Sequence, residues 1–284
     1  MTGPAPEPDR YLVVGHPVSH SQSPWIHARF AGDTRQHMTY RALDVPPGTF
    51  VQHLASFFAS GGRGCNVTLP WKLHAYRLAD RHTPRARLAG AVNTLAMQPD
   101  GAILGDNTDG AGLVLDLQHR GKQVLEGARV LLLGAGGAAR GVIAPLLAAG
   151  VERITIANRT VARAVVLAER FGPRVGAVTF EDAGGDAEIV INATSASLDA
   201  RLPPLPGSCL DDATFCYDMM YAAEPTAFVR WAREHGCGAQ DGLGMLVEQA
   251  AESFFLWRGL RPDTDQVLAD LRTRLRHPSP DTGP

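Results

Sequence analysis

Three closely spaced glycines carry the first recognisable chemistry in this chain: Gly134, Gly136 and Gly137, in the stretch RVLLLGAGGAARG from Arg129 to Gly141. An apolar run, Val130 to Leu133, leads into them, and a helix-forming run from Ala138 through Ala149 leads away. Strand, tight turn and helix N-terminus together make a cradle for dinucleotide phosphates, because unpaired backbone N–H groups and the helix dipole both favour an anion there. Gly134 allows the turn, Gly136 lets the backbone approach a pyrophosphate, and Ala139 takes the third motif position, where helix and strand pack closely. A bare crossover rich in small residues has the same local look. The next strand sharpens the reading. Arg153–Ala157 (RITIA) ends at Asn158-Arg159-Thr160. An NAD site usually places an acid about 20 residues past the glycines to bind the ribose 2′-hydroxyl. No acid stands here. Arg159 does, and Arg163 follows one turn into a helix that Thr160 caps. Two guanidiniums without a carboxylate suit a 2′-phosphate, which they can grip bidentately. The pattern predicts NADP rather than NAD, against the plainer alternative of two solvated arginines at a helix start.

A second set of polar residues lies in the first half. His20-Ser21-Gln22-Ser23, Asn66-Val67-Thr68, Lys72, Ala91-Val92-Asn93-Thr94 and Gly105-Asp106-Asn107-Thr108-Asp109-Gly110 all fall near predicted strand ends. Each has an ordinary explanation: Ser21 and Ser23 as capping hydroxyls, Asn93 as a turn residue, Lys72 as a surface lysine, Asp109 as a helix cap. Lys72 is the odd one, since the start of a helix disfavours a cation. Taken together they describe a pocket for a small polyol or carboxylate, with an ammonium and a carboxylate in it. His20, beside a serine-rich turn, reads as a hydrogen-bonded structural residue rather than a general base.

These residues need elements to hold them. The predicted strands of the first half are Tyr11–Val14, Met38–Leu43 and Gly64–Val67, followed by a hairpin of Leu95–Gln98 and Ala102–Leu104 about a Pro-Asp-Gly turn. Ser23-Pro24 is predicted to open one helix by an N-cap and a first-turn proline, Thr49–Ser60 a second, Pro70 a third through about Ala79, and Asp109–Arg120 a fourth. In the second half, Glu188–Asn192 and Thr214–Asp218 continue a parallel sheet, and Gly242–Trp257 and Pro262–Arg276 are helical. Ligands of such a sheet sit beyond the carboxyl ends of its strands. At 284 residues the chain suggests two domains, and its 45% hydrophobic content is enough for two cores. A net charge of −2 disfavours nucleic acid and anionic membranes as partners. The longest apolar run, Val142 to Val151, contains Pro145 and is too short to cross a bilayer. The first ten residues and the last eight read as tails. Four cysteines without CxxC spacing predict reduced thiols, no metal and a cytoplasmic location.

The chain resembles the shikimate dehydrogenase family. The matching stretches are Gly15-His16-Pro17 with HSQSP at 20–24, NVTLPWK at 66–72, AGAVNT at 89–94, GDNTDG at 105–110, GAGGAARG at 134–141, NRTVAR at 158–163, INATS at 191–195, YDMMY at 217–221 and DGLGMLVEQA at 241–250. The resemblance implies an α/β fold with an N-terminal α/β substrate domain, residues 1–108, a Rossmann-like NADP-binding domain, residues 109–241, and C-terminal helices, within 242–284, packing back on the first domain. It implies reversible NADPH-dependent reduction of 3-dehydroshikimate to shikimate, within aromatic amino-acid biosynthesis. It further implies that Lys72 and Asp109 form the catalytic pair. Ser21 and Ser23, with Tyr221 nearby, would bind the substrate carboxylate, and Asn66, Thr68, Asn93 and Gln249 the ring hydroxyls. The NADP phosphates would lie on Gly134, Ala135, Gly136, Gly137 and Ala138. Asn158, Arg159, Thr160 and Arg163 would hold the 2′-phosphate, and Thr194, Met219 and Gly242 would approach the nicotinamide. One departure is visible: the chain runs Ser195-Ala196-Ser197-Leu198 where the family often has a glycine and then Met. Alternatives are a paralogue acting on quinate or an aminoshikimate-type substrate, and an NADP-binding sensor without turnover. A homodimer is the candidate assembly.

Overall fold

In a computed structural model the described residues are 7–194, 202–206 and 209–277. In chain order the elements are β1 (Asp9–Gly15), α1 (Ser23–Asp33), β2 (Met38–Asp44), α2 (Phe50–Ala59), β3 (Gly62–Val67), α3 (Lys72–Leu78), β4 (Arg81–His82), α4 (Pro84–Ala89), β5 (Thr94–Met97), β6 (Ile103–Asp106), α5 (Asp109–His119), β7 (Arg129–Leu133), α6 (Gly137–Ala148), β8 (Arg153–Ala157), α7 (Val161–Glu169), β9 (Val175–Val178), β10 (Ile189–Asn192), β11 (Phe215–Asp218), α8 (Ala227–Glu234), β12 (Gly238–Asp241), α9 (Leu243–Arg258) and α10 (Asp265–Arg276). They fall into two compact units. One takes the chain up to Thr108 with Ala250–Val267; the other takes Asp109–Gln249 and the chain from Leu268.

The first unit holds a mixed sheet in the order β2-β1-β3-β5-β6-β4. β1 runs parallel to β2 and β3, while β5 is antiparallel to β3 and β6. Its core forms because apolar residues recur at the helical period on α2, where Phe50, Leu54 and Phe58 are buried beside Val14, Cys65, Trp71 and Leu95. The second unit holds an all-parallel sheet in the order β12-β11-β10-β7-β8-β9. Counted from β7 this is the strand order 3-2-1-4-5-6 reversed end for end, the doubly wound nucleotide-binding arrangement. β7 is buried on both faces: Val130 and Leu132 join one core cluster, Leu131 and Leu133 the other. That is why its sequence is uniformly apolar rather than alternating.

Several expectations need correction. Ser23 is the first residue of α1, not its cap; Gln22 occupies the cap position and makes no side-chain cap bond. Pro70 lies in the turn after a cis Leu69–Pro70 bond, and the helix begins two residues later at Lys72. The predicted N-terminal tail is too long, because Asp9 and Arg10 belong to β1, where Asp9 is held by Arg63 at 3.1 Å and Arg258 at 2.5 Å. β4, α4, β9, α8 and β12 were not anticipated. The Ser195–Leu198 departure lies outside the described residues.

One contact fixes how α5 leaves Asp109. Pro145, inside α6, has no N–H to give the carbonyl of Gly141, and Gly110 lies against both. A Cβ on Gly110 would stand 2.3 Å from Pro145 Cγ and 2.5 Å from the Gly141 oxygen. Backbone cannot yield as a side chain can, so Gly110→Ala is expected to destabilise the fold by about 1–3 kcal/mol. A fall in the urea midpoint at unchanged m-value is the measurement; an unchanged midpoint would show that the two helices separate freely.

Candidate active site

The first unit gathers its polar residues around the end of β3. Asn66 is buried, and every part of its amide has a partner. Its Oδ1 accepts from the Tyr40 hydroxyl at 2.7 Å. Its Nδ2 lies 2.9 Å from Ser253 Oγ, 3.1 Å from Thr94 Oγ1 and 3.3 Å from the Asn93 carbonyl. Asn93, also buried, donates from Nδ2 to Thr108 Oγ1 at 2.8 Å, and its Oδ1 accepts from the Thr108 amide and the Thr94 hydroxyl. Thr68 follows β3. Its amide donates to the Val14 carbonyl, and a Cβ on Gly15 would stand 2.5 Å from Thr68 Cγ2, so the bare glycine lets the threonine close on β1.

The segment that carries the serines is tied down at its base. Asp44, at the end of β2, accepts from the Val18 amide at 3.1 Å and lies 2.6 Å from His16 Nδ1. The hydrogen bond from His16 holds the Asp44 carboxyl below its ordinary range. Ser21 Oγ accepts from the Ser23 amide at 3.3 Å, and Ser23 is buried in the first turn of α1. Lys72 opens α3, and its carbonyl accepts from Val92, one residue before Asn93. Behind the array, buried Asp106 accepts from Thr83 at 2.5 Å, and from Arg85 through Nε at 2.7 Å and Nη2 at 2.6 Å. Burial alone would raise this carboxyl, but the Arg85 guanidinium outweighs it and leaves the group below its ordinary value. Arg85 also meets Glu252 of α9 at 3.0 Å. This pair fixes the segment that runs through Asn107 and Thr108 towards Asp109.

In the second unit the loop after β7 has the shape its glycines predict. Gly134 adopts φ +101°, a conformation L side chains rarely adopt, and its amide donates to the Ala157 carbonyl. A Cβ at Gly136 or Gly137 would meet nothing within 4 Å. Packing inside the protein therefore does not demand glycine at these two positions, at the head of the 12-residue helix α6. Room for an approaching anion does. Ala139 is fully buried beneath, in the third motif position. At the end of β8, Asn158 donates to the Thr160 carbonyl at 2.8 Å. Thr160 caps α7 without a side-chain bond, and Arg159 and Arg163 are exposed without an ion pair to any described residue. The residues present thus fit a phosphorylated dinucleotide: a cradle open to a pyrophosphate, and two guanidiniums for a further phosphate.

Thr194 lies two residues past the end of β10, and Met219 and Gly242 one residue past the ends of β11 and β12. Thr194 donates from N and Oγ1 to Asn192 Oδ1, while Asn192 Nδ2 donates to Asp218 at 3.0 Å. Thr194 Cγ2 stands 3.1 Å from where a Gly134 Cβ would be, so this residue and the glycine loop share the crevice at the point where the strand order reverses. Gly242 lies against the Met219 carbonyl, 2.4 Å from its would-be Cβ. Burial, with Asp241 nearby, pushes the Tyr221 phenol up to about 12. Gln249 lies on α9 and donates to the Leu246 carbonyl at 2.8 Å. Asp109 is buried at the first position of α5. Tyr40, Ser253 and the Arg85–Asp106 pair were not anticipated. Ser253 follows Glu252 on α9 and offers no local signal of its own; only its helical offset of four from Gln249 relates it to the motif.

Comparison with known proteins matches this arrangement along the chain. The family model described as shikimate dehydrogenase substrate binding domain matches residues 13–95, that of shikimate / quinate 5-dehydrogenase residues 116–200, and that of the shikimate 5′-dehydrogenase C-terminal domain residues 242–272. A shikimate dehydrogenase (NADP(+)) of Aeromonas hydrophila is 54% identical, over 94% of this chain and 98% of its own. One of Vibrio cholerae is 55% identical, over 94% and 97%. The crystal structure of a shikimate 5-dehydrogenase from Thermus thermophilus, in complex with NADP(H) and shikimate, superposes with a TM-score of 0.84 at 38% identity, over 94% of this chain and 99% of that one.

One buried group near this array titrates against the fold. His27 is fully buried, and neither ring nitrogen has a partner. It stacks on Tyr40 at 4.2 Å and packs against Phe30 and Trp257. Burial pushes its imidazole down to about 3. Below the ordinary 6.5 the unfolded chain takes a proton that the folded chain refuses, so stability falls by about 1.4 kcal/mol per pH unit until about pH 3. Above that window the group has no effect. His27→Phe, which keeps the stack, is expected to flatten the acid limb of urea stability measured from about pH 7 to about pH 4; parallel limbs would place the acid lability elsewhere.

Proposed function

The chain belongs to the shikimate dehydrogenase family, and we propose from that premise that Lys72 and Asp109 are the pair that handles the proton in its reaction. The protein is an NADP-dependent oxidoreductase that interconverts 3-dehydroshikimate and shikimate. The observation that supports our assignment of its substrate side is the array of Asn66, Asn93 and their buried hydroxyl partners beside the helix that Lys72 opens. A ring bearing several hydroxyls needs fixed donors and acceptors, and this array supplies them.

Each residue then has a task. Ser21 and Ser23 accept the substrate carboxylate by hydroxyl donation, and Tyr221 adds a phenol that burial keeps protonated, hence a donor. Asn66, Thr68, Asn93 and Gln249 address the ring hydroxyls. Lys72 as an ammonium donates to the ketone oxygen and stabilises the alkoxide that develops on it. In the opposite direction the pair takes the hydroxyl proton. Asp109 orients Lys72 and accepts from a neighbouring ring hydroxyl. Gly134–Ala138 hold the pyrophosphate of NADP by backbone N–H groups, and Asn158, Arg159, Thr160 and Arg163 hold its 2′-phosphate. Thr194, Met219 and Gly242 flank its nicotinamide. Bound NADPH supplies the hydride. In this assignment residues up to Thr108 form the substrate domain and the β7–β12 sheet carries the NADP domain.

Two measurements test the assignment. Arg159→Ala is expected to raise KM for NADP, at a cost of about 1.5–3 kcal/mol, while use of NAD changes little. Equal losses with both cofactors would remove Arg159 from the 2′-phosphate. Lys72→Ala is expected to lower kcat about 10²–10⁴-fold with a small change in KM. Asp109→Asn is expected to lower kcat and weaken shikimate binding as well. In a double-mutant cycle on kcat/KM the two losses should be less than additive, because the groups act as one unit. Full additivity, or a Lys72→Ala enzyme that keeps its kcat, would put the chemistry on other residues.

A further inference from the structure

We infer that Ser253 and Tyr40 are positioning residues for substrate recognition: they lock the side-chain amides of Asn66 and Asn93, and so set the hydrogen-bond polarity that the ring hydroxyls meet. The inference rests on the assignment of those two asparagines to the ring hydroxyls.

An asparagine amide can turn over and exchange its donor and acceptor ends at almost no cost in shape. A site that reads hydroxyls through two such amides must prevent this. Here the polarity of every bond can be traced from backbone groups that have no choice. The Asn93 carbonyl can only accept. It lies 3.3 Å from Asn66 Nδ2, so Nδ2 and not Oδ1 must face it. The Asn66 oxygen is then directed to Tyr40, whose hydroxyl donates to it. Nδ2 has two hydrogens for three acceptors, the Asn93 carbonyl, Ser253 Oγ at 2.9 Å and Thr94 Oγ1 at 3.1 Å, so one hydrogen is shared and both hydroxyls act as acceptors. At the other end the Thr108 amide can only donate. It reaches Asn93 Oδ1 at 2.8 Å, which fixes Asn93 with Nδ2 towards Thr108 Oγ1. Thr94 closes the chain by donating to Asn93 Oδ1 at 2.9 Å. Ser253 stands where the two halves meet: its hydrogen goes to Thr94 Oγ1 at 2.8 Å or Thr108 Oγ1 at 3.3 Å, while its oxygen accepts from Asn66.

Ser253 is fully buried and comes from α9, whereas the other hydroxyls and amides of the array come from β2, β3 and the segments around β5 and β6. Thr94 already bridges Asn66 Nδ2 to Asn93 Oδ1, and Ser253 adds a second tie between the two amides through Thr94 and Thr108. Tyr40 is kept in plane by its stack on His27, at 4.2 Å and 11°. Neither residue needs to touch the substrate to act.

The test uses the full enzyme with NADP and three substrates: shikimate, and its analogues lacking the 4- or the 5-hydroxyl. Ser253→Ala and Tyr40→Phe are each expected to raise KM for shikimate about 10-fold, with kcat and the Kd for NADP changed by less than about two-fold. Discrimination between shikimate and one of the deoxy analogues, taken as a ratio of kcat/KM, should fall by the same factor, which general destabilisation would not cause. Tyr40→Phe keeps the ring stack and decides the question if Ser253→Ala fails to fold. Unchanged discrimination in both variants, with Asn66→Ala raising KM in the same assay, would overturn the positioning role alone. An unchanged KM in Asn66→Ala would overturn the assignment beneath it, and the inference with it.

Discussion

A buried amide must have its oxygen and both its hydrogens satisfied, and much of the first unit follows from meeting that demand at Asn66. Leaving one such group without a partner costs about 1–3 kcal/mol, a large part of what holds a domain folded. The partners come from far apart in the chain. Tyr40 is supplied by β2, Thr94 by the strand antiparallel to β3, and Ser253 by α9, 187 positions away. The return of residues 250–267 to this unit is therefore more than apolar cover. It closes a hydrogen-bond array that the β-strands alone leave incomplete. The Arg85–Glu252 pair, one residue along the same helix, adds a second tie to that return.

The second unit solves a different problem with different means. The recognition surface proposed for it is backbone: a glycine turn with φ > 0 and the N–H groups at the head of α6. Backbone can be presented only if the strand beneath is rigid, and β7 is buried on both faces with parallel partners on both sides. A second buried polar group braces this unit. Asp116 of α5 accepts from the Tyr217 hydroxyl and from Gln240, both at 2.7 Å, and burial raises its carboxyl. A Cβ on Gly244 would fall 1.9 Å from Asp116 Oδ1, so the bare first turn of α9 is what leaves room for that carboxylate.

What was legible in the sequence divides along the same line. The glycine turn and the strands and helix on either side of it could be read because they depend on neighbours within one βαβ unit. The substrate side was legible only through its resemblance to a family. Its residues were visible as polar clusters, but nothing local says that Asn66 meets Ser253 or Tyr40. Small errors have equally local causes. Ser23-Pro24 has the look of a cap and a first-turn proline, yet the turn from Val18 to Ser21, with its own 3.0 Å bond, moves the helix start so that Gln22 caps it. β4 has only two residues, and β9 (VGAV) and β12 (GAQD) each contain glycine and alanine, which are depleted in strands.

The two kinds of recognition also differ in how freely they can change. Arg159 and Arg163 are exposed and make no ion pair with a described residue, so replacing them touches little of the fold. Surface changes of that kind usually shift stability by less than about 0.5 kcal/mol. The hydroxyl array has no such freedom. Each of its members is a donor or acceptor for another, and removing one leaves a buried partner unmatched. On the proposed assignment, preference between dinucleotides can drift at the surface. On the same assignment preference among polyols is bound to stability, because the atoms that hold Asn66 and Asn93 in place also complete the core.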